Sequence, residues 1–137
     1  MKIHSTQIRV EAKHLDKGDH ANWLAQLAMA QEVHLAFRNQ LGIGLEVMKE
    51  KYKLFFVMQN VKDVFYRSQL RLGDVLDVRL TMWISRPTSL EFHCIFYKED
   101  KIATEMSWVM PLVSVETQRL CRIPQWMINI IGTEKPN

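Results

Sequence analysis

The sequence is poor in cysteine, proline and glycine, with two, four and five of them in 137 residues. The two cysteines, Cys94 and Cys121, have no CxxC or other metal-ligand spacing, which leaves no ordinary structural zinc site. The opening residues, Met1-Lys2-Ile3-His4-Ser5, lack the apolar block of a signal peptide. The cysteines are therefore expected to stay reduced, and the expected location is cytoplasmic. With no low-complexity stretch, repeat or linker-like segment, residues 1–137 read as a single domain. No apolar run approaches the roughly 18 residues of a membrane span. Charge of one sign is also scarce: 18 Lys and Arg stand against 15 Asp and Glu, leaving +3. Scattered charge of that size attracts anions mildly, as a phosphate-bearing ligand would require, but builds no nucleic-acid surface.

What remains is ordinary globular material. The chain is 47% hydrophobic and 24% charged, and it is long enough to bury a core. Ile8 to Lys13 alternates like a half-buried strand and runs into the turn Leu15-Asp16-Lys17-Gly18-Asp19. Asn22 is placed to cap a helix. From Trp23 to Leu41 there is no Gly or Pro, and Trp23, Leu27, Ala30, His34, Phe37 and Leu41 recur at helical spacing. Leu24, Ala28 and Leu35 widen that stripe, so the helix is expected to be covered on more than one side. Gly42 supplies the stop.

After a connector from Ile43 to Lys53, the period changes to two. Leu54 to Tyr66 reads as one strand. Leu76, Val78, Leu80, Met82 and Ile84 alternate with Asp77, Arg79, Thr81, Trp83 and Ser85 in the clearest strand of the chain. Leu90 to Phe96 and Ile102 to Met110 follow, joined by the charged hairpin Lys98-Glu99-Asp100-Lys101. Gln125 to Ile131 fits a short terminal helix. One apolar helix and a run of antiparallel strands predict an α+β fold, with a sheet of about five strands curled around the helix.

The stretch Asp16-Lys17-Gly18-Asp19-His20-Ala21-Asn22-Trp23 resembles the signature loop of the 4-hydroxybenzoyl-CoA thioesterase family of hotdog-fold proteins. Asp16, His20 and Asn22 fall on matching positions, followed by a helix of the family's length. The resemblance continues through Asn60–Arg67, the turn Leu72-Gly73-Asp74, the hairpin Lys101–Thr104 and the exit Arg122-Ile123-Pro124. It implies a hotdog fold assembled as a homodimer or homotetramer, with sites at subunit interfaces. It also implies hydrolysis of an acyl thioester carried on CoA or acyl carrier protein, chemistry that requires no metal or redox cofactor. Asp16 would be nucleophile or general base. A helix N-terminus offers free N–H groups and a positive dipole end for the oxyanion, with the Trp23 N–H foremost.

Several positions depart from the pattern. Asp19 stands where Gly is common, and a second carboxylate near Asp16 would raise one of the two pKa values. Trp23 replaces a common second Asn, Gln26 a common Tyr, and His34 a common Arg.

Taken one by one, these residues also have plainer readings. Asp16 before a glycine turn is a routine turn former, and His20 either orients Asp16 or substrate or is a solvated loop residue. Asn22 is first of all a helix cap. Leu24 and Leu27 are the expected acyl contacts, and Arg67, with Lys62 and Arg71, a candidate for CoA phosphates. Glu32 is an alternative catalytic carboxylate, since another hotdog branch places one on the central helix. His34 on the apolar stripe reads as a hydrogen-bonded core histidine, Asp74 as a turn residue, and Met29, Met58, Met82 and Met106 as core or acyl-channel lining. Two other functions fit the resemblance: an acyl-thioester hydratase or dehydratase, and a non-catalytic acyl-CoA-binding module.

Overall fold

The computed structural model describes residues 1–137. Its elements are β1 (Lys2–Arg9), α1 (Trp23–Gln40), the helical turn α2 (Leu45–Val47) continued by a wider π-type turn (Met48–Tyr52), β2 (Leu54–Phe56), β3 (Asn60–Tyr66), β4 (Val75–Arg86), β5 (Ser89–Lys98), β6 (Lys101–Ser114) and α3 (Gln125–Ile131). The six strands form one antiparallel sheet in the order β1-β4-β5-β6-β2, with β3 also paired to β6. No helix is long and apolar enough to cross a membrane.

The period-two segments form the middle of the sheet. Leu76, Val78, Leu80, Met82 and Ile84 are all buried, and Leu90, Phe92, Cys94 and Phe96 face the same interior from β5. Together with α1 they contribute to a core of 27 residues. Burying each large apolar side chain contributes about 1.5–3 kcal/mol, so truncation of a central one such as Leu80 to Ala is expected to cost about 2–5 kcal/mol. Burial pushes the Cys94 thiol up to about 12, which makes it an inert core group. Glu99 and Asp100 both take positive φ, 51° and 65°, in the two-residue turn joining β5 to β6.

Three elements differ from the sequence reading. The first strand is Lys2–Arg9, not Ile8–Lys13; residues Ala12–His14 instead form a 3-10 turn. Its inward positions include His4 and Thr6, which hide the alternation, and His4 stacks on Phe37 with ring centroids 4.8 Å apart. The segment Leu54–Tyr66 is broken into β2 and β3, although the Val57 and Gln59 N–H groups still donate to β6, to the carbonyls of Pro111 and Val109. The buried face of α1 carries Gln26, Met29, Ala30, Val33, His34, Phe37 and Arg38, rotated from the stripe that begins at Trp23. Gln26 and Arg38, polar residues on the inward face, displaced the apparent stripe. Trp23 and Leu24 are each 59% exposed, so the second flank of the helix is left uncovered by the chain itself.

Candidate active site at the start of the central helix

The loop before α1 is tied down at both ends of its turn. The Ala21 N–H donates to the Leu70 carbonyl at 2.7 Å, and the buried Gln26 side chain donates to the Ala21 carbonyl at 3.3 Å. Gln26 in turn accepts the Thr104 hydroxyl from β6. These bonds dock the first turn of the helix on the sheet.

Asn22 caps α1 as its position requires: its side-chain oxygen accepts the Ala25 N–H at 2.9 Å. Its amide nitrogen donates to Asp16 Oδ2 at 3.2 Å, and Asp16 Oδ1 accepts the Gly18 N–H at 2.9 Å. The Gly18 N–H, then the Asn22 amide, hold the Asp16 carboxyl below the usual carboxylate value of 3.8, against a small opposing effect of burial. The Gln26 N–H is taken by the Asn22 carbonyl. The N–H groups of Trp23 and Leu24, which precede the first intrahelical bond, are left as donors at the positive end of the dipole.

Asp19 does not crowd Asp16. It pairs with Arg71 and lies 3.7 Å from His20 Nδ1, and Asp16, held by the Gly18 N–H and the Asn22 amide, is lowered rather than raised. His20 sits opposite Arg71 in an isolated bridge, and its nearest acid is Asp19, not Asp16. Asp74 is a turn residue, accepting the Arg71 N–H at 2.7 Å and pairing with Lys98 at 2.9 Å.

Two recesses flank the helix start. A groove of about 390 Å³ is lined by His20, Asn22, Trp23, Tyr66, Arg67 and Gln69. There the Tyr66 hydroxyl donates to the Trp23 carbonyl at 3.5 Å, and Arg67 reaches Glu105 at 3.6 Å. The second recess, about 560 Å³ and mostly apolar, runs along the uncovered flank of α1 from Leu24 and Leu27 to Leu35, with Met58, Met106 and Met110 opposite. Met29 and Met82 are core residues instead. Lys62 pairs with Glu91 at 3.1 Å, away from both recesses. Glu32 faces the opposite flank of α1, in a shallow groove with His4 and His14.

Sequence reasoning missed one buried charge. Arg38 is fully buried, and its partners are neutral: the Ile43 carbonyl at 3.1 Å, His34 Nε2 at 3.4 Å and the Phe56 ring at 5.0 Å. An arginine four residues after a stripe histidine, and so on the same helix face, was the available signal.

The architecture is the hotdog fold. Among solved structures, the chain is similar to a Staphylococcus aureus protein in complex with CoA, with a TM-score of 0.86 at 19% identity over 99% of this chain and 89% of that one. It is equally close, at TM-score 0.86 and 12% identity, to a 1,4-dihydroxy-2-naphthoyl-CoA thioesterase from Synechocystis, over 98% and 100% of the two chains. A 12:0-ACP thioesterase from Umbellularia californica matches at TM-score 0.81 and 18% identity, over 95% of this chain and 52% of its own. At these identities the likeness defines the fold. No protein-family profile matches the sequence, and no curated protein matches it by sequence.

Proposed function

We propose that this protein hydrolyses an acyl thioester, carried on CoA or on an acyl carrier protein, to the free acid and thiol. The reading rests on one arrangement: the Asp16 carboxylate is bonded to Asn22, the residue that caps the helix whose free Trp23 and Leu24 N–H groups can receive an oxyanion. The thioester carbonyl would lie at that helix end, its oxygen toward those N–H groups and its acyl group in the apolar recess beginning at Leu24 and Leu27. The groove holding Arg67 and Tyr66 would take the carrier side. As general base, Asp16 removes a proton from water as it adds to the carbonyl. As nucleophile, it forms an anhydride that water then opens; in either route the C–S bond breaks and the thiolate leaves with a proton. The named thioesterases that share the fold support this class of reaction.

The strand β3 is an edge, with Val61, Phe65 and Tyr66 exposed, and its outer N–H and C=O groups are free to pair. A homodimer joined along β3 would also cover the open flank of α1.

The deciding experiment is thiol release from short, long and aromatic acyl-CoAs and an acyl carrier protein ester, with wild type and Asp16→Asn side by side. Loss of turnover by on the order of 100-fold or more in the variant supports the reading. Full activity in Asp16→Asn rejects Asp16, and no turnover on any ester rejects hydrolysis.

A further inference from the structure

Three residues that line the apolar recess along α1 each hold one buried polar atom without a hydrogen-bond partner: His34 Nδ1, Arg38 Nη2 and Trp108 Nε1. Every other hydrogen-bonding side-chain atom buried to that degree has a partner. The three residues are packed together. Arg38 Nη1 lies 3.4 Å from His34 Nε2, and the His34 and Trp108 ring centroids are 6.0 Å apart.

All three orphan atoms are donors. A guanidinium has no acceptor, so in the Arg38–His34 contact His34 Nε2 must accept. The imidazole proton is then on Nδ1. That atom faces the Gln31 carbonyl one turn back without meeting hydrogen-bond geometry. The Trp108 indole and the Arg38 Nη2 group can only donate. The group missing from this site is therefore an acceptor.

Its charge follows from Arg38. The guanidinium is fully buried, its nearest partners are neutral, and burial without a counter-ion is costly for a cation. His34 supplies no compensation, since it is neutral and an uncharged acceptor. An anion completes the arrangement, and the planar fork of Arg38 matches a carboxylate.

The position sets the ligand's length. Leu24, at the mouth beside the helix start, and His34 are ten residues apart, and Leu24 and Arg38 fourteen, or about 15 and 21 Å along the helix axis. An extended chain gains roughly 1.2 Å per bond, so about 12 to 18 bonds separate the two ends. We infer that the distal end of this recess binds a carboxylate at the far end of a long acyl group, so that the favoured substrates are thioesters of ω-carboxy fatty acids. This rests on the thioesterase reading for the near end only; the donor cluster is independent of it.

The test compares the CoA monoester of hexadecanedioic acid with hexadecanoyl-CoA, using the full chain and the variants Arg38→Met and Trp108→Phe. Wild type is expected to favour the ω-carboxy ester on the order of tenfold or more in kcat/KM, as hydrogen bonds to a charged group imply. Arg38→Met should abolish that preference while turnover of the plain ester persists. Trp108→Phe, which removes the indole N–H and keeps an aromatic ring, should reduce it and serves if Arg38→Met does not fold. In parallel, binding of free hexadecanedioate and hexadecanoate is read by calorimetry. Tighter binding of the diacid, lost in either variant, supports the carboxylate site even where no ester is hydrolysed; that second result rejects the thioesterase reading alone. Equal binding of the two acids by wild type, as when a partner subunit's group occupies the donors, overturns the proposal.

Discussion

Asn22 joins Asp16 to the central helix: its amide nitrogen reaches Asp16 Oδ2 at 3.2 Å, while its oxygen caps the helix through the Ala25 N–H at 2.9 Å. One side chain thus orients the candidate catalytic carboxylate, lowers its pKa and shapes the end of the helix assigned to the oxyanion. A carboxylate at this position could not make both bonds, since it only accepts, whereas the amide presents a donor and an acceptor on separate atoms.

Asn22→Ala should therefore act on stability and catalysis separately. Loss of the cap is expected to cost about 1 kcal/mol, measured by urea unfolding. Loss of the amide donor should move the Asp16 pKa back up toward 3.8, shifting the acid limb of the kcat/KM profile to higher pH. Asn22→Asp should keep the cap and lose most of the activity, because it sets a second carboxylate against Asp16. An unchanged acid limb in Asn22→Ala would show that the amide does not govern Asp16.

His34 makes the fold sensitive to acid. Burial first, and then the neighbouring Arg38, push its pKa down to about 3 from the ordinary 6.5. Between those values the unfolded chain binds a proton that the folded chain refuses, so stability falls as pH drops through that window. The contribution is on the order of 3 kcal/mol between pH 7 and pH 4. His34→Gln, which keeps an acceptor for Arg38, should lose less stability than wild type over the same interval in urea titrations. Equal losses would place the proton uptake elsewhere.

Thr104 and Gln26 give a test of how the helix is docked. Thr104→Val leaves the buried Gln26 oxygen without its donor and is expected to cost about 1–3 kcal/mol. Adding Gln26→Met should recover part of that loss, since it removes the unsatisfied oxygen. A double variant worse than the sum of the two singles would contradict this account.

The Asp19–Arg71 pair is exposed on both sides, so Arg71→Gln should change stability by less than about 1 kcal/mol, and less still in high salt. A larger loss on unfolding by urea would mean that the pair holds the loop before α1.

Assembly along β3 predicts that light scattering finds a dimer for wild type and a monomer for Phe65→Lys, which puts a charge on the exposed edge. A monomeric wild type would remove β3 from the assembly and leave the open flank of α1 to a ligand alone.

Much of this protein was determined locally. The period-two segments, the helix free of Gly and Pro, the Asn22 cap and the Gly42 stop are set by neighbours along the chain, because pleat, helical period and capping act over a few residues. The loop Asp16–Asn22 was legible for the same reason: its turn and cap bonds span at most six residues. Contacts distant in sequence required the tertiary structure. The first strand was misplaced because His4 and Thr6 face inward at an edge, where pairing with β4 rather than polarity selects the register. The pairing of Asp19 with Arg71 spans 52 residues, so no local pattern showed where the Asp19 carboxylate goes. Arg38 read as a charge on a helix. Its full burial under Phe56, and the three donors left without partners beside one recess, arise only when strands far along the chain pack on the helix. Burial and the lack of a partner are properties of the packed interior, and no local pattern of residues encodes them.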